Sequence, residues 1–433
     1  MKANPAQPTA AELLPFRKAR KRVEVEAAGL RPSGVEAVRL LRSQGRVLAE
    51  EVAADRDLPP FPRATRDGYA LRSSDLARLP VELKVVGEIR AGGALDASLC
   101  PLAPGCAAEI MTGAPVPAGA DAVVMVEYTS HSGDRVKIER AVAAGENVVP
   151  TGSEARRGDV LLARGTRMTP AAIAAAASAG KAEVRVHLRP RVAILSTGDE
   201  LVEVAAEPGA NQIRNSNSYS LAAQVVAAGG DPVQLGIAAD ERAALRRLLE
   251  EGLGADLLLV SGGVSAGKHD LVEEVLSELG AEFLFTGALI QPGRPVVFGR
   301  VARPTETPTL RQARAEGWGN PATPFFGLPG NPVSTMACFE LFVRPVLDAL
   351  SGAPPAPLRF VKARLKAEVK TRTGLTRFLP AVLTGEFEET EVELVRWQGS
   401  GDVAAAARAN CYLVVPPDRE KLGAGEMVSI LMR

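Results

Sequence analysis

Between residues 190 and 350 the chain repeats one order, an apolar stretch, a turn of small residues, then text with helical spacing, and no other feature restricts the fold as tightly. Arg191-Val-Ala-Ile-Leu, Pro232-Val-Gln-Leu-Gly-Ile and Leu257-Leu-Leu-Val read as strands, while 218–228, 242–251 and 271–279 read as helices. This alternation predicts a doubly wound, mostly parallel α/β sheet with helices on both faces. The unbroken Leu257–Val260 run predicts strands buried on both sides. Such a sheet gathers its turns, and any ligand, at the carboxyl ends of its strands.

The flanking text differs. At 433 residues the chain exceeds one ordinary core. Residues 1–56 hold helical text, such as Val35-Glu-Ala-Val-Arg-Leu-Leu-Arg, and 57–66 read as a loop. From about 81 to 150, short strands alternate with Gly/Pro turns. Residues 169–179 predict a helix capped by Thr169, with Pro170 first and Gly180 at its stop. A Pro/Gly-rich joint, Ser351-Gly-Ala-Pro-Pro-Ala-Pro, leads into strand text that predicts a compact β-barrel or sandwich. Residues 302–324 read as a polar insertion or hairpin excursion.

Composition removes several function classes. Lysine plus arginine number 51, and aspartate plus glutamate 51, so no chain-wide field draws nucleic acid or an anionic membrane. Cys100, Cys106, Cys338 and Cys411 lack the spacing of zinc, redox or disulfide frameworks. The basic run Arg17–Arg22 precedes no signal-like apolar segment and reads as solvated surface; no run has bilayer-spanning length. A soluble cytoplasmic protein is expected.

Ser261-Gly-Gly-Val-Ser-Ala-Gly-Lys-His-Asp follows a buried strand and enters a helix. Small residues let backbone N–H groups approach an anion, and the helix start adds its positive end, so the turn suits phosphate; a tight βα turn without ligand uses the same residues. Lys268 before a helix start makes sense beside a bound anion, or as a side chain in water. Asp270 with Glu273 forms a capping box, and a carboxylate beside phosphate is also a natural Mg²⁺ ligand. His269 reads as solvent-facing or as a neighbour of phosphate. Ser196-Thr-Gly-Asp-Glu-Leu and Leu328-Pro-Gly-Asn-Pro-Val-Ser would share the same rim, with Ser334 as a helix N-cap.

These turns, with Arg66-Asp-Gly-Tyr-Ala, Ile110-Met-Thr-Gly-Ala-Pro-Val-Pro and Pro292-Gly-Arg-Pro, closely resemble, in order and across nearly the whole chain, the molybdopterin molybdenumtransferase family, known in bacteria as MoeA and in animals as the C-terminal part of gephyrin. The resemblance implies an elongated helical domain at 1–56 plus 152–189, an inserted β-rich domain at 57–151, an α/β molybdopterin-binding domain at 190–352 and a C-terminal β-barrel at 353–433. It implies insertion of molybdenum into adenylylated molybdopterin with release of AMP. It also implies a homodimer with an intersubunit cleft, and admits contact with the adenylyltransferase that supplies the substrate. No nucleic-acid or membrane partner is expected.

The resemblance further implies residue roles. Asp67, Thr112, Glu154, Glu200, Asp240 and Asp270 would be catalytic, with Glu200, Asp240 and Asp270 holding Mg²⁺. Ser196, Thr197, Gly198, Gly262, Gly263, Ser265 and Lys268 would bind the pterin nucleotide, with Ser400 matching the family pattern. Molybdate, a tetrahedral dianion, suits cations, hydroxyls and amides, hence Arg294, Ser334 and the Pro329–Pro332 turn. Pterin sulfurs, not protein cysteines, would take the metal. Each residue also has a plain local reading: Asp240 a helix cap, Asp67, Thr112 and Ser400 turn residues, Glu154 and Glu200 solvated charges. Arg66, Glu154, Gln291 and Pro380 depart from the family pattern, and Gln291 leaves Arg294 as the only cation of its run. Two rival readings remain, an adenylyltransferase, which needs only about one domain, and a non-catalytic scaffold; incubation with molybdopterin and ATP separates the first, and isolated insertion activity excludes the second.

Overall fold

The computed structural model describes residues 13–93, 101–263, 271–303 and 319–432. Its centre is a six-stranded sheet in the order Asp231–Ala238, Arg191–Thr197, Leu257–Ser261, Ala322–Leu328, Val297–Ala302, Ala281–Phe285. The first four strands are parallel; Val297–Ala302 turns back antiparallel beside Ala322–Leu328, and Ala281–Phe285 pairs antiparallel with it at the edge. Two-residue periodicity explains the apolar run. Leu257 and Leu259 point into the core shared with helix Ser216–Ala227 and the helical stretch from Pro332 to Leu350, while Leu258 and Val260 point to helices Arg242–Gly252 and Leu271–Glu278. All four are fully buried, each contributing about 1.5–3 kcal/mol.

The C-terminal strands close on themselves. Thr376–Thr384, Glu391–Leu394, Phe360–Leu365, Met427–Met432 and Cys411–Val415 pair in a ring of five, which resolves barrel against sandwich in favour of the barrel. Strand Gly287–Gln291 adds to this sheet beside Thr376–Thr384, and Leu13–Pro15 adds beside Gly287–Gln291. A second six-stranded sheet, ordered Ala122–Met125, Gly68–Leu71, Cys106–Ile110, Val81–Ile89, Arg135–Ile138, Thr129–Ser132, forms the expected β-rich region. Among the described residues, no helix is long and apolar enough to cross a membrane. Residues 304–318, most of the polar excursion, lie outside the described residues; the strands that flank it are antiparallel neighbours.

Two local expectations are corrected. Val35–Arg39 is a strand followed by a 3-10 turn, not a helix, because its valines pair with Glu183–His187, Val38 opposite Val184. Over so short a span, helical and strand spacing coincide, and the partner decides. Nor is Arg17–Arg22 all solvated surface, since Arg20 is only 7% exposed. Helix Phe16–Gly29 buries Ala19, Val23 and Ala27 and carries Arg20 inward with them. There Arg20 binds Glu24 at 2.9 Å and donates to the Leu341 carbonyl. Leu341 lies in a π-helical stretch, Phe339–Val343, where the widened turn lets a side chain reach a backbone carbonyl.

The helix Pro170–Ser178 is capped as expected, Thr169 Oγ1 accepting from Ala172 N at 3.2 Å. Thr169→Ala is expected to cost about 1 kcal/mol, read as a lower denaturant midpoint with unchanged slope.

Candidate functional site

Three turns meet at the carboxyl ends of the parallel strands. Register fixes this: Ser196 lies opposite Ser261, and Ser261 opposite Leu328, so the turns after Thr197, Ser261 and Leu328 emerge side by side. Gly262 N donates to Leu328 O at 3.1 Å, and a Cβ on Gly330 would lie 3.6 Å from Gly262 Cα. The glycines have a packing cause. Gly262 has φ +92° and a Cβ there would overlap the Thr197 carbonyl; one on Gly263 would reach Thr197 Oγ1 at 2.7 Å. Val264 to Asp270, including Ser265, Lys268, His269 and Asp270, lie outside the described residues.

The first turn is acidic. Asp199 and Glu200 follow Gly198, and Asp240 N donates to Asp199 Oδ1 at 3.1 Å. Burial, then the charges of Asp199 and Glu200, push the Asp240 carboxyl above the usual carboxylate range. Asp240 is not the helix cap that its sequence position suggested: helix Arg242–Gly252 has Glu241 at that place. Asp199, Glu200 and Asp240 are all exposed, a cluster of like charges at the carboxyl end of the sheet. Among the described residues, no three His, Cys, Asp or Glu side chains are gathered tightly enough to enclose a metal ion. Carboxylate oxygens are the donor type that suits a hard divalent cation.

Beside these carboxylates sits buried polar chemistry. Ser196 and Thr197 are 0% and 3% exposed. Ser196 Oγ donates to Asn215 Oδ1 at 3.1 Å. Among the described residues, Thr197 Oγ1 and Asn217 Oδ1 are buried without a hydrogen-bond partner. Buried oxygens of this kind are uncommon in a settled core and cluster where ligands bind.

The third turn is overlaid by the barrel. Helix Pro332–Cys338 starts at Asn331, so Ser334 is not its cap but an internal residue, 3% exposed. Pro332 fills the first helical position, where no N–H is needed, which moves the start upstream of Ser334. Ser400 O accepts from Val333 N at 2.9 Å, bringing that loop of the barrel onto the Pro329–Pro332 turn. The Pro292-Gly293-Arg294 turn lies against the same helix: Cys338 Sγ donates to Gly293 O at 3.6 Å, and Arg294 is exposed. A second guanidinium adjoins this run, Arg377 Nε donating to Gln291 Oε1 at 2.8 Å. Arg377 is 7% exposed, and burial followed by Arg372 lowers its proton affinity.

Asp67, Thr112 and Glu154 stand elsewhere, at one corner of the β-rich region. Gly68 lies opposite Ile110, which brings the residues flanking those strands together. Asp67 Oδ1 accepts from Thr112 N at 2.6 Å and from Thr112 Oγ1 at 2.8 Å, holding its carboxyl below the usual range. Glu154 pairs with Arg63 at 3.1 Å, both exposed, and Arg63 belongs to the segment that leads to Asp67. Sequence reasoning missed Asp199, Asn215 and Asn217. The polar triplet Asn215-Ser-Asn217 at a helix start was the available signal.

Comparison with known proteins spans the whole arrangement. The MoeA N-terminal region (domain I and II) matches residues 14–180, the probable molybdopterin binding domain residues 193–349, and the MoeA C-terminal region (domain IV) residues 362–432. The molybdopterin molybdenumtransferase of Bacillus subtilis (strain 168) is 34% identical over 412 residues, 92% of this chain and 89% of the relative. That of Nostoc sp. (strain PCC 7120) is 35% identical over 407 residues, 92% and 88% of the two chains. The crystal structure of a molybdopterin biosynthesis moeA protein from Pyrococcus horikoshii OT3 matches with TM-score 0.76 at 30% identity, covering 98% of this chain and 100% of that one.

Proposed function

The chain belongs to the molybdopterin molybdenumtransferase family, and from that premise we propose that it uses adenylylated molybdopterin and molybdate, releasing AMP as molybdenum is inserted, with Mg²⁺ as its cation. It is a transferase of molybdenum cofactor biosynthesis that inserts molybdenum into molybdopterin. What supports the finer assignment is that three strand-end turns emerge side by side over the buried Thr197 hydroxyl, with the raised Asp240 carboxyl at the end of the adjoining edge strand.

Under this assignment the pterin and its phosphates lie over the Gly262–Gly263 and Ser196–Gly198 turns, whose glycines let the rim pack closely around Thr197. Thr197 contributes its buried hydroxyl. Glu200 and Asp240, with Asp270, would hold Mg²⁺; a bound divalent cation offsets the charge of a phosphoanhydride and orients water. Arg294 presents a permanent positive charge toward molybdate beside the turn held by Pro329, Pro332 and Ser400. Ser334, buried one turn into that helix, orients it from below. Asp67 fixes Thr112, and this corner, with Glu154, completes the cleft of a second copy in a homodimer.

The test is in vitro insertion with purified protein, adenylyl-molybdopterin, molybdate and Mg²⁺. AMP release in step with cofactor formation, lost on chelation, is expected. Equal insertion into molybdopterin without the adenylyl group would overturn the adenylylated substrate. Formation of adenylyl-molybdopterin from molybdopterin and ATP would instead favour the adenylyltransferase reading.

A further inference from the structure

We propose that Asn217 is the positioning residue that sets the spacing of the rim turns, so that molybdopterin affinity depends on its side-chain N–H groups; this rests on the assignment of the rim as the molybdopterin site. The first turn of helix Ser216–Ala227 is tied to all three strand ends. Asn215 Oδ1 accepts from Ser196 Oγ at 3.1 Å and, as helix cap, from Ser218 N at 3.2 Å. Asn217 Nδ2 donates to Ser261 Oγ and to Gly330 O, both at 2.7 Å.

The carbonyl of Gly330 can only accept, so it fixes which end of the Asn217 amide faces the turns. The Gly262 and Gly330 turns already touch through backbone, Gly262 N bonding Leu328 O. That bond is the last rung of the pairing between the two strands, and beyond it the turns need a further tie to hold their spacing. Asn217 is that tie. At its other end, Oδ1 is buried without a partner among the described residues. A buried, unmet acceptor is destabilising, so the amide is a poor choice for stability and a good one for holding spacing.

Three variants separate these roles, each assayed for molybdopterin affinity, insertion kinetics and melting temperature. Asn217→Ala is expected to weaken molybdopterin binding by roughly ten- to a hundredfold, the effect of displacing a site by about an ångström. KM rises more than kcat falls, and melting changes little. Asn217→Asp keeps the shape but sets a carboxylate against the Gly330 carbonyl, so it behaves like Asn217→Ala and does not rescue. Gln224→Ala is the control: Gln224, on the same helix, donates to Met336 O at 3.2 Å and Glu340 Oε1 at 2.9 Å, remote from the rim. Its loss leaves affinity unchanged.

Wild-type affinity in Asn217→Asp, or an equal loss in Gln224→Ala, overturns the proposal, because shape or general helix stability then accounts for the effect. Should Asn217→Ala fail to fold, the Asn217→Asp comparison decides. Failure of the wild type to bind molybdopterin overturns the rim assignment itself, and the proposal with it. Wild-type binding with unchanged affinity in both Asn217 variants overturns this proposal alone.

Discussion

Asp240→Asn is expected to lower molybdenum insertion on the order of a hundredfold, the size of effect seen when one preorganised polar group is removed from a reaction site. The same variant is expected to melt no earlier than the wild type at neutral pH. Asp240 is raised by burial and by the nearby Asp199 and Glu200 charges. The folded chain therefore holds that proton more tightly than the unfolded chain does. Its contribution to stability is complete below the ordinary carboxylate range and is lost as pH rises through the raised value. At neutral pH the ionised group is a burden, which asparagine removes. Melting curves of chelator-treated protein at mildly acidic and neutral pH test the sign, since Asp240→Asn should flatten the difference between them. Glu200→Gln removes one neighbouring charge and should move Asp240 back toward the ordinary range. Near-wild-type insertion by Asp240→Asn, or a large fall in its melting temperature at neutral pH, would show that this carboxylate serves the fold and not the reaction.

Gly262→Ala is expected to damage stability and site together. Its φ of +92° lies where side chains are strained, costing about 1–3 kcal/mol from the backbone alone. The added methyl would also overlap the Thr197 carbonyl and approach Thr197 Oγ1 at 3.1 Å. Gly236 offers the comparison. Its φ is +84°, it lies in the edge strand Asp231–Ala238 of the same sheet, and nothing stands within 4 Å of its Cβ position. Gly236→Ala carries the backbone cost without the overlap. Denaturant titration should place Gly262→Ala well below Gly236→Ala in stability, and molybdopterin binding should fail only in the former. Equal stability with retained binding would mean that the turn relaxes without consequence.

The α/β region was legible in the sequence because its signals are local and agree. Leu257–Val260 alternates between two buried faces, and the Thr169-Pro170 start caps its helix as read. The shared rim followed from one general rule about parallel sheets. What stayed hidden depends on distant partners. Val35–Arg39 becomes a strand because Glu183–His187 arrives beside it, and Arg20 turns inward to reach the distant Leu341 O. The Asp67–Thr112 bond needs the register of Gly68 on Ile110, which local text does not carry. Asn217 reads as an ordinary early helix residue until Ser261 and Gly330 stand within reach.

The ladder that carries Gly287–Gln291 into the barrel sheet, Ile290 opposite Thr376 and Gln291 opposite Arg377, has a mechanical consequence. A proteolytic nick within Ser351–Pro357 would cut the covalent joint and still leave both fragments clasped, because this seam, and the core that Phe378, Tyr412 and Leu431 share with Phe339 and Phe342, run across the break. The barrel thus leans on the α/β region along a hydrogen-bonded edge, and the Val333 N to Ser400 O bond sets its loop against the Pro329–Pro332 turn.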